Sequence, residues 1–119
     1  MIFLTAEDIA EFNAEIVPNG RQEGGKVEAI ANRVLNAYHY DGVTDVYRLA
    51  AIYLIAISHG HTFLDGNKRT AFQSMALFLG INGVSLREDA QLVELTIEAA
   101  QGHLNAEQVA DQLRQLTEE

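Results

Sequence analysis

Apolar residues recur at spacings of three and four along most of this chain, the period of a helix that buries one face. Thr5 and Asp8 have the spacing of a variant capping box, Leu4 and Ile9 that of a hydrophobic staple, and Ile9, Phe12 and Ile16 then share one face. This helix is predicted to end before Pro18-Asn19-Gly20, where a polar, glycine-bearing loop runs from 18 to 25. Val27, Ile30, Ala31, Val34, Leu35 and Tyr38 mark a second helix that stops at the turn around Asp41-Gly42.

Thr44 or Asp45 is placed to cap a third helix carrying Val46, Leu49, Ala50, Ile52, Tyr53, Leu54, Ile55 and Ile57, apolar around almost its whole circumference. A helix of that kind is surrounded by other helices. The segment from 67 to about 82 (Ala71, Phe72, Met75, Ala76, Leu77, Phe78, Leu79, Ile81) has the same character, with Gly83 as its stop. These two form the expected core pair. Two more helices are predicted, one over roughly 88–101 stopped by Gly102, and one from 106 to about 117 capped by Asn105 with Gln108 and stapled by Leu104 and Val109. The expected architecture is an all-α bundle of about six helices, with almost no strand pattern, no internal repeat and no linker.

Composition bounds what such a bundle does. At 119 residues with 48% hydrophobic content, one core is expected over 1–119, as a single domain. The absence of cysteine excludes disulfides and thiolate metal sites, and no apolar run reaches the roughly 18 residues of a membrane span. The N-terminus lacks a signal-peptide pattern. A soluble, cytoplasmic protein with no membrane partner is expected. A formal charge of −9 argues against direct nucleic-acid binding, which depends on cations neutralising phosphates, but it is no obstacle to one small anion held by a local cluster of donors.

Such a cluster stands between the two central helices. The run His61-Thr62-Phe63-Leu64-Asp65-Gly66-Asn67-Lys68-Arg69-Thr70 places a titratable base, a carboxylate, a turn glycine and two cations just before an apolar helix. Each residue alone has a plain structural reading. His61 can end the third helix, Asp65 can be a turn residue, Asn67 a cap, Lys68 and Arg69 a solvated face, and Phe63 belongs to the core in any case. Together they break a local rule, because two cations in a helix's first turn oppose its dipole unless an anion is present. Broken local rules tend to mark functional sites, and this one reads as a phosphate site. A zinc site on His59, His61 and Asp65 is disfavoured, since residues two apart on a helix diverge and no third strong ligand is in sight.

The run resembles the core motif of the Fic/Doc family, His-x-Phe-x-Asp/Glu-Gly/Ala-Asn-Gly/Lys-Arg, matched by His61, Phe63, Asp65, Gly66, Asn67, Lys68 and Arg69. The resemblance implies an ATP- and Mg2+-dependent transferase. His61 is then the general base, Asp65 the magnesium ligand, and Gly66, Asn67, Lys68 and Arg69 the phosphate cradle, with Asn67 donating through side chain or backbone. Fic enzymes typically transfer AMP to a protein hydroxyl. In the Doc branch the nucleotide is held in the reversed sense, the γ-phosphoryl group goes to a threonine of translation elongation factor Tu, and a small Phd-like antitoxin with a helical inhibitory segment silences the toxin. Two departures from the Fic pattern point toward Doc: Lys68 where Fic proteins have glycine, and Phe72 where they carry a second arginine. No self-inhibitory Ser/Thr-x-x-x-Glu-Gly/Asn pattern occurs. Inhibition from a cognate antitoxin lying in an apolar groove is the expectation; an AMP transferase and a catalytically silent binding module are the alternatives. Gln73, one turn after Arg69, is placed either for nucleotide or for a buried polar contact, and Arg21 and Lys26 either reach a phosphate or remain surface charge.

Overall fold

A computed structural model describes residues 1–18 and 25–118. Most of the predicted glycine-bearing loop, Arg21 included, lies outside the described residues. Six helices follow in order: α1 (Ala6–Ile16), α2 (Lys26–His39), α3 (Val46–His59), α4 (Asn67–Ile81), α5 (Ala90–Ala100) and α6 (Ala106–Gln115). No strand forms among the described residues, and the all-α expectation holds.

The termini follow local chemistry. Thr5 and Asn105 open α1 and α6 with reciprocal capping boxes, Asp45 and Asp89 cap α3 and α5 through their carboxylates, and Ile9 and Val109 are fully buried. Gly83 (φ 88°) and Gly102 (φ 79°) stop α4 and α5 in the left-handed conformation. In each case the next residue's N–H reaches back to the helix: Val84 to the Leu79 carbonyl at 2.9 Å and His103 to the Glu98 carbonyl at 3.0 Å.

Two boundaries differ from expectation. The fifth helix starts at Ala90 instead of 88, because Asp89 accepts from the Gln91 N–H and so stands outside the helix as its cap. The sixth ends at Gln115, two residues short of 117, because the chain there joins an isolated antiparallel bridge between Leu86 and Thr117. Arg87 donates to the Leu116 carbonyl at 2.8 Å and Glu118 to that of Ser85 at 2.7 Å, which ties the C-terminal segment to the α4–α5 connection.

Helix α3 sits at the centre, packed against α2, α4, α5 and α6, while α4 also meets α1 and α5. Leu49, Ala50, Tyr53, Leu54 and Ile57 of α3 and Ala71, Met75, Phe78 and Leu79 of α4 are inaccessible to solvent. Each large apolar side chain buried this way contributes roughly 1.5–3 kcal/mol. The Tyr53 hydroxyl is satisfied inside this core, accepting from the Leu4 N–H at 3.1 Å and donating to the Leu4 carbonyl at 3.3 Å, so it fastens the chain entering α1 to α3.

Burial, and to a lesser degree the charge of Asp8, push the Tyr53 phenol up to about 12. An unfolded tyrosine ionises near ~10, so the unfolded chain releases this proton first. Stability therefore falls as pH climbs from about 10 to 12, by on the order of 2 kcal/mol from this group, and is independent of it below about pH 9. Denaturant titrations of wild type and Tyr53→Phe across that window check the sign, with the variant losing less stability over it.

Candidate functional site

The turn between α3 and α4 is held from four sides. Thr62 and Phe63 are buried and anchor it in the core. The Asn67 side chain folds back on the main chain of Phe63, Oδ1 accepting from its N–H at 2.9 Å and Nδ2 donating to its carbonyl at 2.8 Å. From α2, Lys26 Nζ donates to the His61 carbonyl at 3.2 Å. From α1, buried Asn13 Nδ2 donates to the Asp65 carbonyl at 2.9 Å and to the Thr70 hydroxyl at 3.1 Å.

His61 is the one non-glycine described residue with positive φ, 49°. It stands two residues beyond the end of α3, exposed, and its ring has no hydrogen-bond or ion-pair partner among the described residues. It therefore does not satisfy α3's terminal carbonyls. Thr62 takes that part, with its hydroxyl near the carbonyls of Ala56 and Ile57 (3.5 and 3.4 Å). His59 faces elsewhere, its Nδ1 2.9 Å from the Ala100 carbonyl at the end of α5. No group of three histidine or acidic residues suited to a metal ion occurs among the described residues.

Gly66, not Asn67, is the N-cap of α4, in the left-handed conformation (φ 75°) and with no side-chain cap. A Cβ there would lie 2.7 Å from Val17 Cγ2 and 3.3 Å from Asn13 Nδ2, so the end of α1 rests directly on this glycine. The first intrahelical bond is Thr70 N–H to the Gly66 carbonyl at 2.9 Å. The N–H groups of Asn67, Lys68 and Arg69 remain without partners among the described residues, as the first turn of a helix requires in the absence of a cap. No acid lies in that turn, and the exposed side chains of Lys68 and Arg69 make no ion pair among the described residues. Positive charge thus collects with no ion-paired acid in the first turn among the described residues, an arrangement that favours an anion. Beside it the exposed Asp65 carboxylate uses Oδ1 to accept from the Gly66 N–H at 2.7 Å. A single carboxylate next to phosphate donors fits Mg2+, which is commonly held by one or two carboxylates with phosphate and water oxygens completing the shell.

Lys68 and Arg69 also line a groove of about 800 Å3 between α1, α4 and α5, with Ile16, Phe72, Gln73, Ala76, Leu77, Val93, Thr96 and Ile97. Phe72 is part of this apolar lining. Gln73 lines it half-buried, with no hydrogen bond to another described side chain or main chain, so the buried polar contact open to it from sequence does not form. Sequence reasoning passed over Asn13, Thr70 and the α5 side of the groove. The one signal for Asn13 was a polar residue four positions after Ile9, in a slot that the helical period assigns to the core.

A model of the Fic/DOC family matches residues 3–79, from ahead of α1 to the last turns of α4. The chain is 43% identical over 97 residues to Protein kinase doc of Escherichia phage P1, a match covering 82% of this chain and 77% of that protein. It is 37% identical over 86 residues to Toxin Doc of Mycolicibacterium smegmatis (strain ATCC 700084 / mc(2)155), covering 72% of this chain and 64% of that protein.

Replacing Gly66 by a β-branched residue sets left-handed strain and the Val17 contact against the turn. Gly66→Val is expected to lower unfolding free energy by about 2 kcal/mol, measured by chemical denaturation.

Proposed function

Because this chain belongs to the Fic/Doc family, in its Doc branch of toxins, we propose that it is a protein kinase that moves the γ-phosphoryl group of ATP to a threonine of elongation factor Tu and so halts translation. The observation that carries this reading is the start of α4, where three N–H groups, two cations and an imidazole, all without partners among the described residues, meet a carboxylate on one short turn.

Phosphoryl transfer is mostly positioning and charge neutralisation, so the residues divide the work by chemistry. The main-chain N–H groups of Asn67, Lys68 and Arg69 receive phosphate oxygens, Arg69 adding a planar fork and Lys68 a point charge. The Asn67 side chain, engaged with Phe63, keeps the turn open. Asp65 holds Mg2+, which when bound neutralises charge on the phosphates. His61, exposed and held by its main chain alone, accepts the proton of the incoming hydroxyl. Phe72 favours γ transfer over AMP transfer: an apolar side chain with no donor stands at the position that carries the second phosphate-binding arginine of the Fic pattern.

The groove supports a cognate, Phd-like antitoxin as partner. Val93 and Ile97 are 62% and 39% exposed on its α5 side, and an apolar trough between helices suits the apolar face of an amphipathic helix. Bound there, that helix also reaches Lys68 and Arg69.

Incubation with Mg2+, elongation factor Tu and ATP labelled at either the α or the γ position decides the chemistry. Label from γ is expected; label from α overturns the reading in favour of AMP transfer, and no label leaves a silent binding module. His61→Ala should lose transfer by roughly 10^2–10^4-fold while remaining folded by circular dichroism. For the partner, a Val93→Asp/Ile97→Asp double variant is expected to transfer phosphate normally yet require at least about tenfold more antitoxin for inhibition; unchanged inhibition places the antitoxin elsewhere.

A further inference from the structure

Asn13 occupies a slot that packing would give to an apolar side chain. It is 1% exposed on the buried face of α1, where an amide is tolerated only if its polar atoms are paired. It spends its donors outside its own helix, on the Asp65 carbonyl at 2.9 Å and the Thr70 hydroxyl at 3.1 Å. Those two residues bracket Gly66 to Arg69, the stretch that presents the unpartnered N–H groups.

The Asp65 carbonyl and the Gly66 N–H belong to one rigid peptide plane. Asn13 holds the oxygen side of that plane, and the nitrogen side donates to Asp65 Oδ1 at 2.7 Å. Rotation of the plane would therefore break the bond that aims the Asp65 carboxylate and would change the left-handed φ of Gly66 on which the start of α4 depends. Thr70, fully buried and already inside the helix, has no such lever on the carboxylate.

We propose that Asn13 is a positioning residue for the phosphate and metal site: from α1 it locks the Asp65–Gly66 peptide, and through it sets the direction of the Asp65 carboxylate and of the first N–H groups of α4. The proposal rests on the phosphate reading given above for this turn.

The test compares Asn13→Leu, which keeps the bulk and removes the donor, with Thr70→Val, which removes the other acceptor. Three quantities are read on each: melting temperature, the amide 1H–15N signal of Gly66 without nucleotide, and affinity for Mg2+-ATP by calorimetry. Asn13→Leu is expected to stay folded, shift the Gly66 amide and bind Mg2+-ATP roughly tenfold more weakly, the scale of losing a residue that orients a ligand. Thr70→Val is expected to bind within about twofold of wild type. A purely structural asparagine would lower the melting temperature and leave the affinity of the folded protein unchanged; that result, or equal weakening by both variants, overturns the proposal. Should Asn13→Leu not fold, Asn13→Ala carries the same readouts. Wild type that fails to bind Mg2+-ATP would overturn the phosphate reading as well, and is distinguished from failure of the Asn13 lock by a Gly66 amide that still shifts in the variant.

Discussion

A helix that is apolar around almost its whole circumference has to be enclosed, and the enclosure of α3 dictates the arrangement of everything else. Four helices close around it, with α1 reaching the core through α4 and through the Leu4–Tyr53 hydrogen bonds. Once α3 and α4 are both fixed in that core, the residues joining them cannot drift. Buried Thr62 and Phe63 bring the chain out of the interior at one place, so the residues that follow are carried on a support anchored in the core.

The start of α4 departs from the rules that favour helix stability. Most helices here are capped by side chains, but α4 begins at a bare left-handed glycine and places two cations where the dipole disfavours them. The cost, a few tenths to about 1 kcal/mol for each unfavourable charge, is small against the burial contributed by α4's inner face, so the fold tolerates it.

What was readable in the sequence was whatever depends on near neighbours. Both capping boxes, the Asp45 cap and the two glycine stops involve residues within five positions of one another, and each stands where the pattern placed it. The order of His61, Asp65, Gly66, Lys68 and Arg69 likewise marked this turn as chemically unusual, and the structure carries them together on it. The cap itself proved to be Gly66, because the Asn67 side chain turns back to Phe63. Contacts across long separations were not readable. Asn13 meets Asp65 from 52 positions away and Lys26 meets His61 from 35, and a single polar letter in an apolar stripe does not say what it will face. The groove joins α1 to the distant pair α4 and α5, and α6 stops early for a bridge to a segment before α5, so neither was visible in any local window.

Lys68 and Arg69 belong at once to the helix start and to the groove's lining. Two ligands that share a pair of side chains do not bind with independent free energies. By linkage, whatever factor an occupant of the trough imposes on anion affinity, the anion imposes on the occupant in return. Any anion held at the helix start and any occupant of the trough would therefore act on one balance, a change in either being felt by both.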